Sequence, residues 1–138
     1  MIISHPKEDI AKLVSQSVGI DQHMPFENYS ALGLVKNNQL IAGVIYNHYT
    51  NTSIMAHIAG KPGKRWLNRD FLFAMFDYPF NQLGVNRITG LVAKKNKEAR
   101  RFDEHLGFKY EGNMRNALAD DDMLIYGMLK RECKWLKN

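Results

Sequence analysis

Residues 78–88 read YPFNQLGVNRI and residues 96–108 read NKEARRFDEHLGF. In the first stretch Pro79 cannot continue a helix undisturbed and Gly84 ends the element, so we expect a helix broken near its end that leads into a strand. In the second stretch a helix stops at Gly107, and an apolar strand follows. Two helices that each lead into a strand predict a mixed α/β fold.

The remaining elements follow from hydrophobic periodicity on either side of these stretches. They are a helix over 7–18 stopped by Gly19, strands over 31–35, 40–49 and 52–59, a basic loop over 60–65, a helix from Leu67 to Tyr78, a strand over 87–93, a helix over 96–106, and strands over 108–114 and 123–129. The polar turn between the first two strands has the length of a hairpin. Connections through helices predict parallel neighbouring strands, and the short final connection predicts an antiparallel pair.

The size and composition indicate one domain over residues 1–138. The chain has 138 residues with 45% hydrophobic and 24% charged side chains, which is ordinary for a single globular core. No apolar run reaches the roughly 20 residues of a membrane span, and the amino terminus lacks a signal-peptide pattern, so we expect a cytoplasmic protein. Cys133 is the only cysteine, the histidines lack ligand spacing and the run 120–122 suits a solvated turn, so we predict no metal site.

The formal charge of +5 favours an anionic partner and leaves nucleic acid, an anionic cofactor and an acidic protein open. Cations gather around the start of the helix that follows the loop 60–65, where unpaired N–H groups suit a phosphate. These cations are Lys61, Lys64, Arg65 and Arg69. A Walker loop is excluded because Arg65 follows Gly63-Lys64 in place of Ser or Thr, and the spacing of a Rossmann loop is absent.

Taken together, these elements and motifs resemble the GNAT superfamily of acetyl-CoA-dependent N-acetyltransferases over nearly the whole chain. Besides 78–88 and 96–108, the similar segments are Glu111-Gly112, Met114-Arg115, Asp121-Asp122 and Tyr126-Gly127-Met128, which look like the last strands of the branch that acetylates ribosomal proteins and amino acids. The resemblance implies a mixed sheet of about six or seven strands with helices on both faces. It also implies that the strands over 52–59 and 87–93, which correspond to the fourth and fifth strands of the family, are parallel and splay apart at the cofactor site.

The implied reaction is direct attack of a primary amine, on a protein or peptide, on the thioester of acetyl-CoA. Two other functions stay open. A GNAT-fold protein with weak catalysis can act as a scaffold, and a basic nucleic-acid-binding module can use a local cluster of cations, although no aromatic RNA-binding motif is present. That cluster is Lys94, Lys95, Lys97, Arg100 and Arg101. A monomer and a homodimer both remain compatible with the sequence.

The resemblance assigns cofactor contacts to the end of the fourth strand, the basic loop and the helix after the fifth strand. The residues are Ile58, Gly60, Gly63, Lys64, Arg65, Trp66, Leu67, Asn96, Arg100 and Arg101. One departure stands out, because Lys64-Arg65-Trp66 occupies the place where the family has Gly-Lys-Gly. Trp66 either shields this loop or anchors the helix, and nearby cations can offset the lost glycines through bonds to phosphate oxygens.

For catalysis the resemblance points to His57 as proton acceptor, and the alternative is an ordinary sheet histidine. As a base it would give an activity limb near its reference pKa of about 6.5. Asp103 stands where the family often has the tyrosine that protonates the leaving thiolate; Tyr110 or Tyr126 can replace it, or the thiolate leaves without an acid. A backbone N–H near Ile58 would stabilise the oxyanion.

Overall fold

The computed structural model describes residues 1–18, 26–63 and 65–136. Its strands are β1 (Ile2–Ile3), β2 (Ser30–Lys36), β3 (Gln39–Asn47), β4 (Ser53–Gly60), β5 (Arg87–Ala93), β6 (Lys109–Leu118) and β7 (Asp121–Leu129). Its helices are α1 (Lys7–Val18), α2 (Arg69–Asp77) with a π-helical continuation (Tyr78–Leu83), α3 (Lys97–Leu106), and two short 3-10 helices (Lys130–Glu132, Lys134–Leu136). Gly19, the expected stop of α1, lies outside the described residues.

All seven strands form one mixed sheet in the order β1-β2-β3-β4-β5-β7-β6. Among these described strands, β4 and β5 are the one parallel pair. The expectation that β5 and β6 would be parallel neighbours is wrong, because β7 lies between them. Burial explains this, since β7 inserts the apolar residues Leu124, Tyr126 and Met128 into the core, whereas the polar strand β6 is exposed and takes the edge.

The predicted hairpin between β2 and β3 is confirmed. Asn37 and Asn38 have φ angles of 51° and 61°, as a two-residue type I′ turn requires, and asparagine tolerates this conformation better than most residues. β3 ends at Asn47, two residues before the predicted Tyr49, because His48 has a φ of 53° and leaves the extended conformation.

Helices cover both faces of the sheet, as predicted. On one face, the α1 face, Ile10 and Val14 pack against Ile45 and Ala59. The opposite face, the core face, packs against α2 and α3. The glycine at 43 brings α1 close to β3, because a β-carbon there would overlap the Ile10 side chain.

Helix α2 begins later than its periodicity predicted. The Oδ1 of Asn68 accepts a hydrogen bond of 2.7 Å from the Phe71 N–H, so Asn68 caps the helix and Leu67 lies before it, 42% exposed. The break near Tyr78 is confirmed, and Gly84 closes the π-helical segment with a φ of 76°. No helix among the described residues is long and apolar enough to cross a membrane.

Candidate functional site

β4 and β5 begin as neighbours and then separate. Their pairing covers Ser53 with Arg87, Ile54 with Ile88 and Met55 with Thr89, and then stops. β4 continues to Gly60, while β5 keeps its pairing with β7 on its other side. We call the opening between 56–60 and 90–93 the β4–β5 gap, which agrees with the expected splay.

The edge of β4 along this gap carries unused backbone groups. The N–H of Lys61 donates a 2.7 Å hydrogen bond to the Ile41 carbonyl of β3, which sets the alternation along β4. Because successive residues of a strand point their N–H groups in opposite directions, those of Ile58 and Gly60 point away from β3. Two residues expected at the cofactor site therefore present donors to the β4–β5 gap.

Residues 61–68 connect this edge to α2, and we call them the phosphate loop after the role expected from the sequence. Gly63 has a φ of 74°, and a β-carbon there would meet only open space. The N–H groups of Trp66 and Leu67 donate no hydrogen bond within 1–18, 26–63 and 65–136. The Arg65 carbonyl accepts a 2.9 Å bond from Lys36 Nζ. Lys64, the remaining expected phosphate contact, lies outside the described residues.

Helix α3 presents its amino terminus near the same end of the sheet. Asn96 caps α3, since its Oδ1 accepts a 3.1 Å hydrogen bond from the Ala99 N–H. The guanidinium of Arg100 donates a 3.1 Å bond to the Lys94 carbonyl and lies near Tyr126, while Arg101 is exposed. Asn96 and Arg101 are therefore more open to a ligand than Arg100.

A concave cavity of about 990 Å³ lies between the start of α3 and the β6–β7 turn. It contains most of the cluster considered for nucleic acid, but three aspartates, at positions 120 to 122, line it as well. Lys95 is already engaged, because its Nζ donates a 2.6 Å bond to the Asp120 carbonyl. Neither β4 nor the phosphate loop lines this cavity, so it is separate from the β4–β5 gap.

His57 lies on the α1 face of β4, half-buried. Its Nε2 is 3.0 Å from Asn47 Oδ1, and its ring packs on Phe26 at 5.0 Å between centroids. Because the amide oxygen can only accept, this contact assigns the proton to Nε2 and leaves Nδ1 as an acceptor. Burial, and secondly the nearby His48, lower the pKa of His57 to about 4. A limb given by His57 acting as the base is therefore expected near pH 4 and not near 6.5.

This lowered pKa makes the contribution of His57 to stability acid-sensitive. The unfolded His57 takes up a proton below pH 6.5 while the folded one stays neutral to about 4, so the contribution of His57 is lost as pH falls through this window, by about 1.4 kcal/mol per pH unit at most. We expect the stability of His57→Gln relative to the native chain to rise as pH falls, in urea unfolding measured at pH 7, 5.5 and 4. The exposed His105→Gln is the matched control, and an unchanged slope in His57→Gln would contradict the assignment.

Asp103 lies on the opposite side of the gap. Its carboxylate packs over Gly90 of β5 on the core face, where a β-carbon would lie 3.7 Å from Oδ2. The carboxylate makes no hydrogen bond within the described part of the chain. Burial, and secondly the charge of Glu104, raise the pKa of Asp103 to about 7. At neutral pH a large fraction of Asp103 therefore carries a proton.

Tyr126 is buried beside Gly90, but its hydroxyl is already hydrogen-bonded. It donates a 2.7 Å hydrogen bond to Glu104 Oε2 and contacts Arg100. Burial raises the pKa of Tyr126 above its usual value, and Glu104 reinforces this while Arg100 opposes it. Tyr110 stands edge-on to Tyr126 on the exposed strand β6. Of the three candidate proton donors considered from sequence, Asp103 is the one whose carboxylate lies over β5 beside the β4–β5 gap.

Three residues of the site were missed by sequence reasoning. Asn47 and Phe26 hold His57, and Gly90 lies beneath the Asp103 carboxylate. The strand pattern contained a signal for Asn47, a polar residue at the end of an otherwise apolar strand. Nothing in the sequence indicated Phe26.

Comparison with known proteins finds similarity in three dimensions only. No protein-family model matches the chain, and no curated protein does. Among solved structures, PseH N-acetyltransferase of Campylobacter jejuni in complex with acetyl coenzyme A is 17% identical, with 76% of this chain and 70% of that chain covered and a TM-score of 0.60.

Two further structures cover almost the whole chain. A probable acetyltransferase is 20% identical, with coverage of 95% and 93% and a TM-score of 0.72. A variant of the spermidine N-acetyltransferase SpeG from Vibrio cholerae is 16% identical, with coverage of 99% and 98% and a TM-score of 0.76. The chain has the fold of these acetyltransferases, which is the GNAT fold that its sequence motifs resemble.

Proposed function

We propose that the protein is an acetyl-CoA-dependent N-acetyltransferase that acetylates a primary amine. One observation carries the proposal: the parallel strands β4 and β5 separate, and the gap between them has free backbone donors on β4, a neutral histidine on the α1 face and a partly buried carboxyl group on the core face. The resemblance in the sequence and the fold of known acetyltransferases support the same reading.

The free edge of β4 fits the amide-rich pantetheine arm, since the N–H groups of Ile58 and Gly60 can pair with it as a strand would. The phosphate loop offers the N–H groups of Trp66 and Leu67 and the charge of Arg65 to the pyrophosphate. Lys64, Gly63, Asn96, Arg100 and Arg101 remain proposed contacts for the rest of the coenzyme.

The reaction needs a bond from the amine nitrogen to the acetyl carbon and the loss of the carbon–sulfur bond. His57 Nδ1 accepts a hydrogen bond from the attacking amine and orients it, while the low pKa of His57 makes it a weak base. The amine therefore arrives neutral after losing its ammonium proton to solvent, and the nitrogen loses a second proton to solvent once its bond to the acetyl carbon has formed. Asp103 donates its proton to the departing thiolate and regains one from water.

We propose a protein or peptide as the acceptor. α1 packs against β2, β3 and β4, and the continuation of the same face over β5, β7 and β6 carries partly exposed apolar side chains. These are Leu91, Met114, Met123 and Ile125. Such an open surface beside His57 suits a macromolecular acceptor, as does the resemblance to the ribosomal-protein branch.

The test is acetyl-CoA binding by calorimetry, followed by thiol release with a panel of acceptors. We expect binding, and turnover of peptides with a free amine above that of spermidine and aminoglycosides. Turnover of small amines alone would overturn the protein acceptor. Binding without any turnover would favour the scaffold, and no binding would overturn the acetyltransferase itself.

A further inference from the structure

Trp66 and Gly60 interlock across the end of the β4–β5 gap. The indole lies directly against Gly60, and a β-carbon at position 60 would overlap its ring nitrogen and two ring carbons. The same indole packs on Phe102 of α3 and edge-on against Phe71 of α2, with ring centroids 5.2 and 6.4 Å apart. Trp66 therefore occupies a socket built from β4, α2 and α3.

The position of Trp66 in the phosphate loop makes this socket significant. The resemblance places a glycine at 66, and a phosphate loop uses glycine where a side chain would prevent the backbone from approaching the anion. A tryptophan there is compatible with phosphate only if its side chain is held elsewhere. In this structure the indole lies inward, against the end of β4.

We propose that Gly60 and Trp66 form a positioning pair. Because Gly60 has no β-carbon, the Trp66 indole packs against it and stays out of the phosphate loop, and this loop can then bind pyrophosphate without its usual glycines. The inference rests on the proposed function and deepens it. Trp66 acts here through its location, whereas its backbone N–H and that of Leu67 make the contacts with the anion.

The apolar surroundings explain why the pair is needed. Phe71 is fully buried and Phe102 is partly buried, so the socket removes much of the large indole surface from water. An indole expelled by a side chain at 60 has to lie over the phosphate loop or in solvent. Either position of the indole lowers the stability of the fold, and an indole over the phosphate loop also blocks the anion.

The test replaces Gly60 by alanine. In a Trp135→Phe background, where Trp66 is the only tryptophan, we expect Gly60→Ala to shift the emission to the red without any ligand, because the indole leaves its socket. In the otherwise native chain, we expect Gly60→Ala to weaken acetyl-CoA binding by at least about tenfold. The double variant Gly60→Ala/Trp66→Gly should recover affinity, since it removes the expelled side chain.

Gly112→Ala is the matched control, because a β-carbon at 112 meets Ile125 at an ordinary 3.7 Å. Unchanged Trp66 emission in Gly60→Ala would overturn the interlock, and a double variant that binds no better than Gly60→Ala would overturn the positioning role. If the native chain fails to bind acetyl-CoA, the proposed function fails with the positioning role, while the ligand-free emission still reports on the interlock by itself.

Discussion

Asp103→Asn should lower kcat about 100-fold while leaving acetyl-CoA affinity nearly unchanged. The carboxyl group, with its pKa of about 7, can protonate a thiolate whose reference pKa is about 8.5, and asparagine cannot. For the proposed reaction, kcat of the native protein should fall as pH rises through 7, because Asp103 ionises. This decrease of kcat above pH 7 should be missing from Asp103→Asn.

The Asp103→Asn substitution should raise stability although it lowers kcat, and this separates the role of a proton donor from a structural role. Because the folded pKa of Asp103 lies above its unfolded value of 3.8, the contribution of Asp103 to stability is lost as pH rises from about 4 to 7, at about 1.4 kcal/mol per pH unit or less, and this opposes the contribution of His57. Asp103→Asn should therefore be more stable than the native chain at pH 8, with no gain near pH 4.

The charged neighbours support this assignment. Glu104, the next residue of α3, reinforces the raised pKa of Asp103, and Arg100 is held by the Lys94 carbonyl and Tyr126. Asp120→Asn is the charge-matched control, because Asp120 is exposed in the β6–β7 turn. If kcat in Asp103→Asn stays within a factor of about 3 and keeps its alkaline limb, the thiolate leaves without this acid.

Phe71→Ala should destabilise the protein by about 3 to 5 kcal/mol. Phe71 is 0% exposed, lies in the first turn of α2 and contacts the Trp66 ring, so its removal leaves a cavity where the phosphate loop joins the core. The change is measured as the shift of the urea unfolding midpoint at pH 7, with the slope compared between variants.

Phe73→Ala in the same helix is the matched control, since Phe73 is 44% exposed. It should cost less than about 1 kcal/mol. Equal losses in the two variants would contradict the buried placement of Phe71 and, with it, the way α2 supports the phosphate loop.

Local chemistry made much of the fold predictable. The asparagine pair of the first hairpin, the proline after Tyr78 and the glycines at 84 and 107 act on neighbouring backbone, and the elements they delimit agree with the structure. The start of α2 was misplaced because Leu67 fits the helical period, whereas the side-chain bond of Asn68 to Phe71 sets the boundary.

Strand order and side-chain environment depend on packing between distant segments. Burial of the apolar side chains of β7 places this strand between β5 and the edge strand β6, which contiguous sequence does not reveal. The pKa values of His57 and Asp103 depart from their reference values through desolvation, which arises only when other elements cover these groups.

The sequence by itself therefore determined the elements, the GNAT resemblance and the residue types available for chemistry, because turns, caps and periodicity act over a few neighbouring residues. Only the tertiary structure decided how they meet. It turned the indole of Trp66 toward Gly60, fixed the tautomer of His57 through Asn47 and placed Asp103 over Gly90. Each of these contacts joins different elements, so its energy exists only after the sheet and helices have packed.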